Sequence, residues 1–246
     1  MIRLDRFLSD MGVASRKELK QIIRSGRIAV DGVPATAPET KLDPEKSTVS
    51  LDGIALEYRK FRYFIMNKPS GVLTASEDRK QKTVMDLLPP ELKNLGLFPT
   101  GRLDKDTTGL LILTNDGDFA HRVISPKYEI RKRYIAGTDG TVDERDIRAF
   151  AEGLTLRDGL KCLPAKLEKL GDGTCAVTVM EGKYHQVKRM LASVGKPVLE
   201  LKRVSIGELL LPEDLEAGNI REITQKEIDL IFSQNSQKSA DFQGDF

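Results

Sequence analysis

From about residue 61 onward, apolar strand-like runs and amphipathic helix-like runs follow one another without a regular strand–helix–strand period. This irregular alternation constrains the fold most: it points to an α+β arrangement. The pattern predicts strands at 62–66, 110–114, 130–136, 163–169, 174–181 and 198–204. Helices are expected at 83–88, 118–124, 143–152, 184–194 and 224–232, the last opened by Thr224 and Glu227 as a capping box.

The first 60 residues read as a separate compact unit. Leu4, Phe7, Leu8 and Met11 recur at helical spacing, and Ser15 with Glu18 forms a capping box for a second helix whose apolar members are Leu19, Ile22 and Ile23. Gly26 ends that helix. RIAV followed by Asp31-Gly32 reads as a strand and tight turn, and VSL, Asp52-Gly53 and IAL read as a hairpin. The polar stretch EYRKFR marks a boundary, so 1–60 and 61–232 are expected as two domains, with 233–246, polar and aperiodic, as a flexible tail. Two domains suit 246 residues.

With 39% hydrophobic and 31% charged residues, the chain is expected to be globular rather than disordered, collagen-like or rod-forming. No apolar run is long enough to span a bilayer and MIRLDRFLSDMG is too charged for a signal peptide, so a cytoplasmic chain without a membrane partner is expected. Cys162, Cys175, His121 and His185 give neither a disulfide framework nor zinc spacing, so no structural metal is expected.

The net charge of +2 conceals a segregation of sign. Residues 1–30 hold seven basic side chains against three acidic, 122–133 five against one and 183–203 six against one, whereas from 213 onward eight acidic residues face three basic. Three basic segments in a nearly neutral chain point to a polyanionic partner.

The densest polar cluster is TGRLDKDTTGLLILTNDGD, residues 100–118, where Gly, Asp and Thr crowd a turn that feeds a fully apolar strand. Catalytic groups often sit on loops mounted on such strands. Asp104 and Asp106 admit three readings. A calcium loop fails because Asn115 stands where a bidentate Glu is needed. A DxDxT phosphatase would place the motif after a strand, whereas here it precedes one. The third is a lone nucleophilic or acid/base carboxylate in a metal-free pocket. Asp106 and Asp116 read as turn caps.

GRLDKDTTGLLILTNDG resembles, almost residue for residue, the catalytic motif of the pseudouridine synthases that modify 16S ribosomal RNA and their relatives. NKPSG (67–71), RKRYI (131–135), EGKYHQVKRM (181–190) and LKRVSIG (201–207) resemble the same family, and RLDRFLSDMGVASRKELKQIIRSGRIAVDG resembles an S4 RNA-binding domain. The resemblance implies a small S4-like α/β domain followed by a larger mixed, largely antiparallel sheet with flanking helices. It also implies an rRNA pseudouridine synthase without cofactor or metal, monomeric, whose partner is ribosomal RNA or a pre-ribosomal particle. A 23S target, or a non-catalytic S4 assembly factor, is the alternative.

On that resemblance Asp104 is the catalytic aspartate, Tyr134 offers a ring face to a flipped uridine, and Lys188 pairs with Asp104. Counting 100° per residue over 184–194 puts Lys188 on the flank of the face formed by Val187, Met190, Leu191 and Val194, with Arg189 near the opposite side and His185 outward. Expected RNA contacts are Arg3, Arg6, Arg16, Lys17, Lys20, Arg24 and Arg27 in the first domain and Lys68, Arg102, Arg133, His185 and Arg189 in the second.

Overall fold

The computed structural model describes residues 1–241; the side chains of Arg16 and of residues after Ser233, and all of residues 242–246, lie outside the described residues. Two compact units emerge: Met1–Arg62 with Leu88–Phe98 and Thr114–Asp116, and the remainder of the chain.

The first unit contains β1 (Ile2–Arg3), α1 (Leu4–Asp10), α2 (Arg16–Arg24), β2 (Ile28–Val30), β3 (Val33–Pro34), β4 (Lys41–Leu42), β5 (Val49–Leu51) and β6 (Ile54–Leu56). Strands β3-β2-β5-β6 form one sheet and β1 pairs with β4. Local chemistry explains most of this. The Ser15 hydroxyl accepts from Glu18 N–H while the Glu18 carboxylate accepts from Ser15 N–H at 2.9 Å, which satisfies two free donors at the start of α2. Asp31-Gly32 and Asp52-Gly53 both adopt positive φ, 51° and 80° in the first turn and 51° and 82° in the second, the two-residue geometry that matches strand twist. Leu4, Phe7 and Leu8 of α1, Leu19 and Ile23 of α2, and Ile28, Leu42 and Val49 form the core.

The second unit is built on β7 (Tyr63–Lys68), β8 (Phe98–Pro99), β9 (Thr108–Thr114), β10 (Lys132–Thr138), β11 (Lys166–Gly171), β12 (Thr174–Val179), β13 (Val198–Ile206), β14 (Leu209–Leu210) and β15 (Ile220–Glu222). The sheet order is β11-β12-β10-β13-β9-β7-β15, with β14 beside β13 and β8 beside β9. The pairs from β11 to β13 are antiparallel, as is β15–β7, while β13 runs parallel to β9. The expected mixed sheet with flanking helices is what forms. The helices are α3 (Gly117–Ile124), α4 (Glu144–Glu152), α5 (Gln186–Ser193) and α6 (Gln225–Asp241). Phe150, Met190 and Leu191 pack with Ala136, Val177 and Leu201 in one core; Phe119, Val123 and Ile231 pack with Ile65, Leu110 and Ile112 in another.

The parallel join depends on Gly109. It lies opposite Arg203 with φ 99°, and a Cβ there would stand 2.2 Å from the Arg203 carbonyl oxygen. Only glycine allows that approach.

Several boundaries differ from the sequence expectation. The helix expected at 83–88 is a 3₁₀ turn, Val84–Leu87, stopped because Pro89 and Pro90 disfavour helix in the residues before them. The strand expected from 163 begins at Lys166; Pro164 has no N–H to donate, and Leu163 N–H goes to Glu181 Oε1 at 2.8 Å. The last helix continues to Asp241 rather than ending at 232, so part of the expected tail is helical. Once a docked first turn exists, adding residues such as Gln, Lys and Ala costs little.

Candidate active site

Residues 100–107 form a loop leading into β9, and its backbone is anchored from below. The Lys68 ammonium, at the end of β7, is fully buried. It donates to the carbonyls of Pro69 at 3.0 Å, Lys105 at 3.1 Å and Thr107 at 2.9 Å. The Thr74 hydroxyl donates to Leu103 O at 2.8 Å and accepts from Leu103 N–H at 3.2 Å. Burial pushes the Lys68 ammonium down to about 8, against the pull of the Asp106 and Asp104 carboxylates. The expectation that Lys68 contacts RNA is therefore corrected: at the end of a largely buried strand it is a strut beneath the loop, and NKPSG serves the geometry of GRLDKD.

The loop presents Asp104 at the edge of a small cavity of about 60 Å³ that also includes Arg102, Tyr134, Glu181 and His185. Lys188, from α5, reaches both carboxylates of the loop. Its Nζ is 3.4 Å from Asp104 Oδ2 and 2.5 Å from Asp106 Oδ1. The Lys188 ammonium holds the Asp106 carboxyl below the usual carboxylate range. Asp106 is thus a partner of Lys188 in addition to bonding its own backbone N–H, a pairing the turn-cap reading does not include. The flank position counted for Lys188 is where α5 places it.

His185 departs from the count. It has φ 49° and precedes the first helical residue, so the 100° periodicity does not reach it. Its Nε2 faces Asp104 Oδ1 at 3.5 Å. Arg189 turns away to Asp158 at 2.6 Å, and Arg133 lies paired with Glu168.

The Tyr134 ring lines the same cavity from β10. Behind it lies Arg203, opposite on β13 and only 4% exposed, which sequence reasoning missed. Its Nε donates to Leu110 O at 2.8 Å and its Nη1 reaches the Tyr134 hydroxyl at 3.5 Å. Glu181 was missed as well. Its buried carboxylate accepts from Gln186 Nε2 at 2.8 Å and faces Lys183 Nζ at 2.8 Å, which fixes the turn into α5. The signal for both was a charge inside an apolar run, in LKRVSIG and in TVMEG.

In the first unit the expected basic residues divide. Arg3, Arg6 and Arg27 are engaged by Asp5, Asp10 and Asp52 at 2.7, 2.7 and 2.5 Å. Lys17, Lys20 and Arg24 are exposed on α2, and among the described residues none of the three has an ion-pair partner. The Arg16 side chain lies outside the described residues. A cleft of about 490 Å³ opens between Arg3, Arg6, Ser9, Leu19 and Lys20.

Chemically, the second-unit site combines an accessible carboxylate, a cation beside it and an aromatic face in a part-enclosed cavity. An ammonium, Lys188, stands between the two loop carboxylates. No helix among the described residues is long and apolar enough to cross a membrane.

The family model for RNA pseudouridylate synthase matches residues 62–193, and that for the S4 domain matches residues 2–46. The chain is 43% identical to an uncharacterized RNA pseudouridine synthase, YtzG, of Bacillus subtilis strain 168, over 94% of this chain and 98% of that one. It is 40% identical to ribosomal small subunit pseudouridine synthase A of Vibrio cholerae, over 94% of this chain and all of the relative. A crystal structure of a pseudouridylate synthase matches with a TM-score of 0.66 and 35% identity, covering 94% of this chain and 100% of that chain.

Proposed function

Because the chain belongs to the RNA pseudouridylate synthase family and carries an S4 domain, we propose that it isomerises one uridine of 16S ribosomal RNA, in the cytoplasm, with Asp104 as the catalytic carboxylate. The observation that carries this reading is the meeting of Asp104 and the Tyr134 ring at one cavity, with the Lys188 ammonium 3.4 Å from the Asp104 carboxylate.

The reaction needs no net gain or loss of atoms. The bond from ribose C1′ to uracil N1 breaks, the base turns, and C1′ bonds to C5, after which the C5 proton leaves and N1 takes a proton. A carboxylate serves either as a nucleophile that later departs or as a base that removes and returns a ribose proton. Lys188 opposes the negative charge of Asp104 and so stabilises the carboxylate before attack or proton transfer. Tyr134, steadied by Arg203, offers a face to the uracil once it has left the RNA stack, offsetting part of the few kcal/mol that flipping costs. Lys17, Lys20 and Arg24 supply phosphate contacts, so affinity depends on salt while site choice comes from RNA shape. Similarity to small-subunit enzymes supports 16S over 23S RNA.

The test is carbodiimide mapping of 16S and 23S transcripts after incubation with the purified protein and with Asp104→Asn. One new stop in 16S RNA, absent with the Asn variant although that variant folds and binds RNA, is the expected outcome. Turnover by Asp104→Asn within tenfold of the parent would remove Asp104 from the chemistry, and product only in 23S RNA would move the target.

A further inference from the structure

Tyr184 has no role in the chemistry above, yet its placement is unusual. Of the phenylalanine and tyrosine rings among the described residues, only Tyr184 and Phe61 are exposed, at 76% and 40%. The Tyr184 ring is stacked on the His185 imidazole, with centroids 3.8 Å apart and planes 19° from parallel. His185 is the cavity-lining group that faces Asp104. The stack therefore leads from the reacting carboxylate outward: Asp104, then His185, then Tyr184, whose other face is open.

This geometry is held in place by its neighbours. The left-handed turn at His185, φ 49°, carries the two rings off the start of α5. Arg189 donates to the Tyr184 carbonyl at 3.4 Å while paired with Asp158. Gln186 and Glu181 lock the other side of the turn. Exposing a ring costs hydration free energy, and a ring kept in water beside a reaction centre is a place for a ligand with a flat face. The ligand chemistry follows from the surroundings. Arg102 lines the cavity and the exposed Lys105 lies on the same loop, so the partner is flat and anionic at once, which describes single-stranded nucleic acid.

We propose that the open face of Tyr184 is a stacking platform for the unpaired base adjacent to the target uridine, an inference that rests on the synthase reading above. When the uridine leaves the helix, its neighbour loses a stacking partner, and the Tyr184 ring replaces it. The residue then helps choose which uridine is accessible, because only a target with an unpaired neighbour gains this contact.

The experiment uses the full chain and an RNA hairpin containing the mapped uridine labelled with tritium at C5, followed over a range of enzyme concentrations. Tyr184→Ala should raise KM roughly 5- to 150-fold, the loss falling on KM rather than kcat. Tyr184→Phe should stay close to the parent and Tyr184→Leu should resemble Ala. The chain contains no tryptophan, so Tyr184→Trp reports on this position alone. Its fluorescence should be quenched by the hairpin, and the quench should vanish when both neighbours of the target are made abasic. An unchanged KM in Tyr184→Ala, equal rescue by Leu and Phe, a loss confined to kcat, or a quench that survives the abasic RNA would each overturn the platform. Absence of product from the parent protein would instead defeat the target assignment, while the quench, which needs only binding, still decides the role of Tyr184.

Discussion

Replacing Lys68 by Met removes the strut beneath the Asp104 loop and leaves the carbonyls of Pro69, Lys105 and Thr107 without their charged donor. The Lys105 carbonyl keeps the Gly71 N–H at 2.8 Å, so the loss falls on the Pro69 and Thr107 carbonyls, each costing about 1–3 kcal/mol when left unsatisfied. Against this, the parent protein bears the cost of burying an ammonium. The fall from 10.5 to about 8 is worth about 3 kcal/mol, at about 1.4 kcal/mol per unit. The balance at pH 7 is a destabilisation of about 1 kcal/mol, accompanied by lost turnover as the loop loosens. The pH dependence carries a sharper signature. Between about 8 and 10.5 the unfolded chain still holds a proton that folded Lys68 has released, so the unfolded state binds more protons and the parent gains stability as pH rises. The Met variant lacks this gain. The gap between the two proteins should widen by about 1.4 kcal/mol from pH 7 to pH 9. Lys132, also held at about 8 by burial and by Arg203, contributes the same rise to both proteins and cancels. Urea unfolding at the two pH values measures the gap. A gap that stays constant or narrows, or a Met variant as stable and active as the parent, would show that Lys68 is not a buried ammonium carrying the loop.

Two other substitutions follow from the same geometry. Changing Lys17, Lys20 and Arg24 together to Ala should flatten the slope of log affinity against log salt by about 2, since each phosphate contact contributes about 0.7; an unchanged slope would remove α2 from the RNA interface. Gly109→Ala forces a Cβ to within 2.2 Å of the Arg203 carbonyl at φ 99°, so it should lose about 3 kcal/mol and lower Tm by about 10 °C, and a Tm within about 2 °C of the parent would refute the close approach.

What could be seen in the sequence follows from the range of the forces involved. The capping box at Ser15 and Glu18, the turns at Asp31-Gly32 and Asp52-Gly53, and the periodicity of Leu4, Phe7 and Leu8 are decided within a few residues, and the structure keeps each of them. The flank position of Lys188 was likewise countable, because it lies inside a regular helix. His185 was not, since a single left-handed residue resets the direction of the side chain and nothing in YHQV announces it. Lys68 and Arg203 escaped for another reason. A basic residue in a strand reads as exposed until the carbonyls that surround it are known, and those of Lys105, Thr107 and Leu110 come from distant parts of the chain. Pro89 and Pro90 did carry a local warning against a helix at 83–88, and the apolar spacing there outweighed it wrongly.

The parallel join between β9 and β13 also sets an order of events at the ribosome. Arg203 reaches Leu110, and the Thr108 hydroxyl reaches Leu201 at 3.4 Å, across 93 residues in each case. At roughly 5 to 20 residues per second, the segment that completes this contact is translated about 5 to 20 seconds after the strand that awaits it. Through that interval Thr108 and Gly109, at the start of an otherwise apolar strand, lack their parallel partners Lys202 and Arg203, and the Leu110 carbonyl lacks its Arg203 donor. The nascent chain therefore passes this stage with the loop of residues 100–107 already made and the strand that follows it incompletely paired. Slowing elongation between residues 114 and 198 should lower the yield of soluble protein more than an equal delay anywhere after residue 206.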